Sequence, residues 1–101
     1  MVLYLDTSDN QKTIVGLDDK LLERPTGSDK SQQVLGLINE ILGKNKKTLK
    51  DITEIKVETG PGSFTGLRVG VAVANTLGWL LKIPVNGKII NKNDIIEPIY
   101  E

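Results

Sequence analysis

The sequence predicts an α/β domain built on a mixed five-stranded sheet with helices, in the chain order βββαβαβ. Three observations predict it. Val2-Leu3-Tyr4-Leu5 is a continuous apolar run of strand length. Two further strand-like segments follow through turns short enough to require antiparallel pairing. Beyond them, two helix-length segments alternate with short strands, the pattern of parallel crossovers.

Each element has a local reason. The run at 2–5 lacks alternation, as a central strand covered on both faces would. Asp6-Thr7-Ser8-Asp9-Asn10 is turn chemistry. A second strand is expected at 12–17, a hairpin turn at Asp18-Asp19-Lys20 and a third strand at 21–24. Pro25-Thr26-Gly27 breaks the pattern, and Ser28 or Asp29 caps a helix reaching about Leu42, where Gly43 supplies the stop. Val34, Leu35, Leu37, Ile38, Ile41 and Leu42 give it a broad apolar face. A turn capped by Thr48 leads to a fourth strand at 54–58, a long helix occupies 65–82, and a short fifth strand enters through Pro84. Right-handed crossovers set the last two strands parallel to the first. Residues 1–87 form the domain. Residues 88–101 contain Ile89, Ile90, Ile95, Ile96, Ile99 and Tyr100, too apolar for a free end, and are expected to pack back as a tail.

The segment Glu58-Thr59-Gly60-Pro61-Gly62-Ser63-Phe64-Thr65-Gly66-Leu67-Arg68 joins strand to helix with almost no side-chain bulk. Gly66, Gly70, Ala74 and Gly78 then recur every fourth residue and stack into a smooth ridge. A glycine inside a helix is unfavourable by ~0.8–1.0 kcal/mol relative to alanine, so close packing must repay the ridge. With Leu67, Val69, Val71, Val73, Leu77, Leu80 and Leu81, the apolar arc spans roughly 200°, against the ~100° a helix on a sheet needs. A chain of 101 residues has little core to wrap such a helix, so a partner chain is the expected cover. The alternative is that sheet and tail bury it internally. On the first reading, Gly70→Leu abolishes the partnership and leaves the fold intact.

Composition narrows the chemistry. Basic and acidic residues number 13 each, so no net charge draws the chain to nucleic acid or an acidic membrane. The densest basic run, Lys44-Asn45-Lys46-Lys47 with Lys50, reads first as a solvated loop and second as an RNA-binding patch. Cysteine and histidine are absent, which removes disulfides, thiolate nucleophiles, Cys/His zinc sites and Ser-His catalysis. Arg68, Asn75 and Thr76 interrupt the long apolar helix, so no membrane span is expected, and no signal peptide opens the chain. The expected location is the cytoplasm.

A glycine-rich turn at a helix N-terminus offers free N–H groups to an anion, which makes Asp6, Ser8, Gly60, Gly62, Ser63, Thr65 and Arg68 a candidate nucleotide or anion loop. Generic motifs fail there: the lysine of GxxxxGK[ST] is missing, and Thr65 stands where GxGxxG needs glycine. Ser63 and Thr65 serve equally as helix caps, and Asp6 serves equally in an Asx-turn. Asp6 has no second carboxylate placed to complete a metal site.

The residues Val2-Leu3-Tyr4-Leu5-Asp6-Thr7-Ser8, Gly60-Pro61-Gly62-Ser63-Phe64-Thr65-Gly66-Leu67-Arg68 and Ile83-Pro84-Val85 closely resemble the bacterial TsaB (YeaZ) family over residues 1 to about 87. The resemblance implies the N-terminal lobe of the actin-like ATPase (ASKHA) fold, with a ribonuclease H-like core. It implies a role in making N6-threonylcarbamoyladenosine (t6A) in tRNA, where TsaC makes the activated threonylcarbamoyl group and TsaD transfers it with TsaB and TsaE. By that resemblance the chain is a non-catalytic subunit paired with TsaD through its two helices. The interface residues would be Val34, Leu37, Ile38 and Ile41 on one helix and Gly66, Leu67, Gly70, Val71, Ala74, Leu77, Gly78 and Leu81 on the other. ATP or ADP could lie at that interface, tRNA would be met through the complex, and a homodimer would form in isolation. The alternative reading is an ASKHA-type nucleotide-binding enzyme or switch using the 60–65 loop. The family's second lobe is missing, while its Pro-x-Tyr ending returns as Pro98-Ile99-Tyr100, so an internal deletion is expected. Lys30 stands where the family often has histidine.

Overall fold

Two layers make up the molecule: one sheet, and both helices packed side by side on one of its faces. The computed structural model describes residues 1–91 and 93–98. Strands β1 (Val2–Asp6), β2 (Lys12–Leu17) and β3 (Lys20–Pro25) are followed by helix α1 (Lys30–Lys44) and strand β4 (Glu54–Val57). Helix α2 (Phe64–Leu81) and strands β5 (Pro84–Val85) and β6 (Lys88–Ile89) complete the order. The sheet runs β3-β2-β1-β4-β5-β6. β2 and β3 pair antiparallel, while β4 lies parallel to β1 and β5 parallel to β4, as right-handed crossovers require.

One row of inward residues builds the core. Leu3 stands between Leu17 and Ile55, and Leu5 between Val15 and Val57, all essentially buried. Val34, Leu37, Ile38 and Ile41 of α1 and Leu67, Val71 and Ala74 of α2 close over that row. Among the described residues no α-helix packs on the opposite face. There Val2 and Tyr4 are only half-buried, and Leu21 reaches across Gly16, where an added Cβ would come within 2.8 Å of Leu Cδ2. The uninterrupted apolar run of β1 therefore does not reflect burial on both faces.

The sheet has a sixth strand beyond the five expected. Asn86 and Gly87 take positive φ values of 50° and 81° and turn β5 back into β6. Asn-Gly between apolar runs is a strong two-residue hairpin signal. β6 and the buried Ile90 thus begin a segment expected to be tail only. Further on, the Asn75 side chain holds Ile96 twice, donating to its carbonyl at 2.8 Å and accepting from its N–H at 3.0 Å. Ile99, Tyr100 and Glu101 lie outside the described residues.

Helix ends differ in detail. Asp29 caps α1 by accepting from the N–H of Gln32 at 3.1 Å. Gly43 does not end it, for the helix runs on to Lys44 and the left-handed turn falls on Lys46, φ 55°. The Asn45 side chain donates to the Ile41 carbonyl at 2.7 Å, satisfying a terminal carbonyl that glycine would have left to the backbone. By length and composition α2 does meet the requirement for crossing a bilayer, with mean hydropathy 1.3. Arg68, Asn75 and Thr76 are too few to lower that average. In the fold, its ridge side packs into the core.

Candidate functional site

The glycine ridge faces the chain's own sheet. A Cβ on Gly66 would collide with the Thr7 carbonyl oxygen, one on Gly70 with Thr7 Oγ1, and one on Gly78 with Val85 Cγ2. Gly66, Leu67, Gly70, Val71, Ala74 and Gly78 are buried, and so are Val34, Leu37, Ile38 and Ile41 of α1. Ten of the twelve residues expected at a partner interface are therefore spent inside the domain; Leu77 and Leu81 remain half-buried. The close approach repaying the glycines is helix to strand, since α2 begins where β1 ends. Gly70→Leu would disrupt the fold itself.

The surplus apolar arc is real but lies elsewhere. Phe64, Trp79 and Leu80 on α2 are 55–67% exposed, and Leu35 on α1 is 45% exposed. Between the helices a shallow groove continues in two stretches. One, of about 390 Å³, is lined by Ser31, Phe64, Thr65, Arg68, Val69, Ala72 and Val73. The next, of about 250 Å³, is lined by Leu35, Ala72, Val73, Thr76 and Leu77. Leu35, Phe64, Ala72 and Trp79 lie outside the set of residues expected at a partner interface. The width of the arc announces an exposed apolar surface, while the small-residue spacing marks the edge that the domain itself buries.

The candidate anion loop closes on itself. Asp6 Oδ1 accepts from the Ser8 N–H at 3.0 Å and from Ser8 Oγ at 2.6 Å, while Oδ2 accepts from the Tyr4 hydroxyl at 3.3 Å. The Ser63 N–H donates to the Ser8 carbonyl at 2.7 Å, and Ser63 Oγ accepts from the Gly66 N–H at 3.3 Å, capping α2. Gly62 lets the loop pass over Ser8, where a Cβ would lie 2.7 Å from the Ser8 carbonyl oxygen. Glu58 accepts from the Gly60 N–H at 3.2 Å, and the Gly60–Pro61 bond is cis. Asp6, Ser8, Gly60, Gly62 and Ser63 are thus brought together as a latch between two loops. Thr65 lines, with Ser63 and Gly66, the groove between the starts of α1 and α2, while Arg68 sits apart, its guanidinium 5.5 Å from the Phe64 ring centre. Among the described residues no group of three potential metal-ligating side chains occurs.

Lys30 holds a second polar region together. Its Nζ donates to the Asp9 carbonyl at 2.8 Å and to Thr26 Oγ1 at 3.4 Å, beside a groove of about 350 Å³ between the starts of α1 and α2. Burial lowers its pKa, and the carboxylates of Asp9 and Asp6 partly oppose that. Of the basic run, Lys44 pairs with Glu40 at 3.1 Å, and Glu40 also takes Arg24 at 2.6 Å. Lys46, Lys47 and Lys50 are exposed.

A two-layer lobe with three antiparallel strands followed by two αβ crossovers defines the ribonuclease H-like, actin-like ATPase class. YeaZ from Pseudomonas aeruginosa has this fold, superposing with a TM-score of 0.69 at 26% identity over 83% of this chain and 41% of its own. Residues 25–87 match the family described as TsaD: tRNA N6-adenosine threonylcarbamoyltransferase. The tRNA threonylcarbamoyladenosine biosynthesis protein TsaB of Buchnera aphidicola (Schizaphis graminum) is 31% identical over 90 residues, 86% of this chain and 43% of the relative. TsaB of Bacillus subtilis is 35% identical over 89 residues, 84% of this chain and 39% of the relative. The chain belongs to this family, in its TsaB (YeaZ) group. It spans less than half the length of the relatives it matches.

Proposed function

We propose that the chain acts in t6A biosynthesis as a non-catalytic partner of a TsaD-type threonylcarbamoyltransferase, docking through the outer surface of α1 and α2. The observation that carries this reading is the groove between those helices, lined by exposed Leu35 and Phe64, with Trp79 and Leu80 exposed further along α2. Aromatic anchors beside a shallow apolar seam are what protein interfaces use. The interface therefore moves from the ridge to the rim of the same two helices. The absence of histidine and cysteine and the bonding of Asp6, Ser8 and Ser63 among themselves both favour a binding role over a chemical one. TsaE, TsaC and tRNA would be met through the complex, in the cytoplasm. In the absence of TsaD the same surface would support a homodimer.

Mixing the chain with TsaD from the same organism and measuring the mass of the complex tests the reading. Leu35→Asp with Ala72→Glu should abolish a complex that the unmodified chain forms, and an unaltered complex would refute it. Calorimetric titration with ATP or ADP and Mg²⁺ separates it from the nucleotide-switch alternative, which requires binding by the isolated chain.

A further inference from the structure

β5 is paired to β4 through one residue couple, Ile55 with Val85. Yet the β5–β6 hairpin supplies two core residues, Val85 and Ile90. Much of its attachment comes from Asn86. The Asn86 N–H donates to the Ile55 carbonyl at 2.9 Å. Its side chain then bonds Val57 twice: Nδ2 donates to the carbonyl at 3.0 Å, and Oδ1 accepts from the N–H at 2.8 Å. The carboxamide thus stands in for a strand residue, satisfying both backbone groups of Val57 at the end of β4.

The same residue is chemically vulnerable. Asn86-Gly87 is the one Asn-Gly pair in the chain, and both residues are exposed. With no side chain beside it, the Gly87 nitrogen is free to attack the Asn86 carboxamide carbon. The new N–Cγ bond forms as that nitrogen loses its proton, the Cγ–Nδ2 bond breaks, and ammonia leaves. Water then opens the resulting succinimide at either carbonyl, giving aspartate or isoaspartate with no change of oxidation state. For attack, the carboxamide must turn toward Gly87, which requires it to release Val57.

We propose that Asn86 is a deamidation site guarded by its own hydrogen bonds to Val57, so that modification follows opening of the β5–β6 hairpin and then prevents its return. An aspartate at this position sets an anionic oxygen against the Val57 carbonyl where Nδ2 donated. Isoaspartate also lengthens the backbone in a two-residue turn. Either product loosens Val85 and Ile90 from their seat against Gly78 of α2.

The test follows the Asn86 peptide by mass mapping during incubation at mildly alkaline pH, comparing the folded chain with a synthetic peptide of residues 83–90. Conversion should be at least about tenfold slower in the folded chain, because only its open fraction reacts. Val85→Ala, which loosens the hairpin, should move the rate toward that of the peptide. Asn86→Asp should lose hydrogen-exchange protection at Val85. Equal rates in folded chain and peptide would overturn the guarding, and unchanged protection in Asn86→Asp would overturn the release.

Discussion

The hydroxyl of Thr7 donates to the carbonyl oxygen of Gly66 at 2.5 Å, in the interior between the end of β1 and the first turn of α2. Thr7 is wholly buried, and its atoms occupy the spaces that side chains at Gly66 and Gly70 would need. One small residue after the strand and two glycines in the helix are therefore a single packing unit. Thr7→Val should cost about 1 kcal/mol, since it removes one buried hydrogen bond and keeps the shape. Urea midpoints at constant slope provide the measurement.

The two glycines should differ in whether they can be rescued. At Gly70 the obstacle is the Thr7 side chain; at Gly66 it is the Thr7 backbone. Gly66→Ala and Gly70→Ala should each destabilise by roughly 1–3 kcal/mol through overpacking. In a Thr7→Ala background, Gly70→Ala should become much less costly, helped by the better helix propensity of alanine, while Gly66→Ala should not. A double-mutant cycle with no coupling between positions 7 and 70 would contradict this geometry.

Surface and core substitutions on the same helix should separate cleanly. Leu35→Asp and Ala72→Glu change exposed positions and should leave stability within about 0.5 kcal/mol. Their effect should appear in the mass of the complex with TsaD. Gly70→Leu should do the reverse, lowering the denaturation midpoint of the isolated chain. Complex loss on Gly70→Leu with an unchanged midpoint would restore the ridge as the interface.

The order of elements, both crossovers and the helix starts were legible because each rests on local chemistry: apolar runs, turn residues, and Ser28 or Asp29 and Ser63 or Thr65 ahead of a helix, of which the structure uses Asp29 and Ser63. The excess of α2 was legible too, but its direction was not. Spacing every fourth residue says that something approaches a ridge closely; whether that is a partner helix or the chain's own Thr7 depends on a contact 59 positions away. The sixth strand had its signal in Asn86-Gly87, masked because Lys88 and Ile89 make so short a strand. Asp6 and Ser8 carried the residue types of an anion site and of an Asx-turn alike; the turn formed, and the bond from the Ser63 N–H to the Ser8 carbonyl that closes the loop over it depends on a contact far along the chain.

Asn75 should anchor the segment after β6 on its own. With both its side-chain bonds directed to the Ile96 backbone, Asn75→Ala leaves that N–H and carbonyl to water. The expected result is local release of residues 93–98, seen as faster proteolysis there, with little change in the protection of β1 and β4. Unchanged cleavage would mean that apolar contacts alone hold the segment.

Alkaline pH should weaken the fold through Tyr4. Burial raises its pKa above the ordinary 10.0, with further upward pressure from the charge of Asp6, the hydrogen bond to Asp6 and the charge of Glu58. Above 10.0 the unfolded chain gives up the phenol proton while the folded chain keeps it, so the folded state binds more protons and stability falls as pH rises through the folded pKa. Lys30 acts in the opposite sense: burial holds it below 10.5, the folded chain sheds its proton first, and stability gains as pH climbs toward 10.5. Tyr4→Phe should therefore flatten the alkaline decline, and Lys30→Met should steepen it. Urea midpoints taken on both sides of pH 10.0 decide the point, because a decline that survives Tyr4→Phe unchanged must arise from another group.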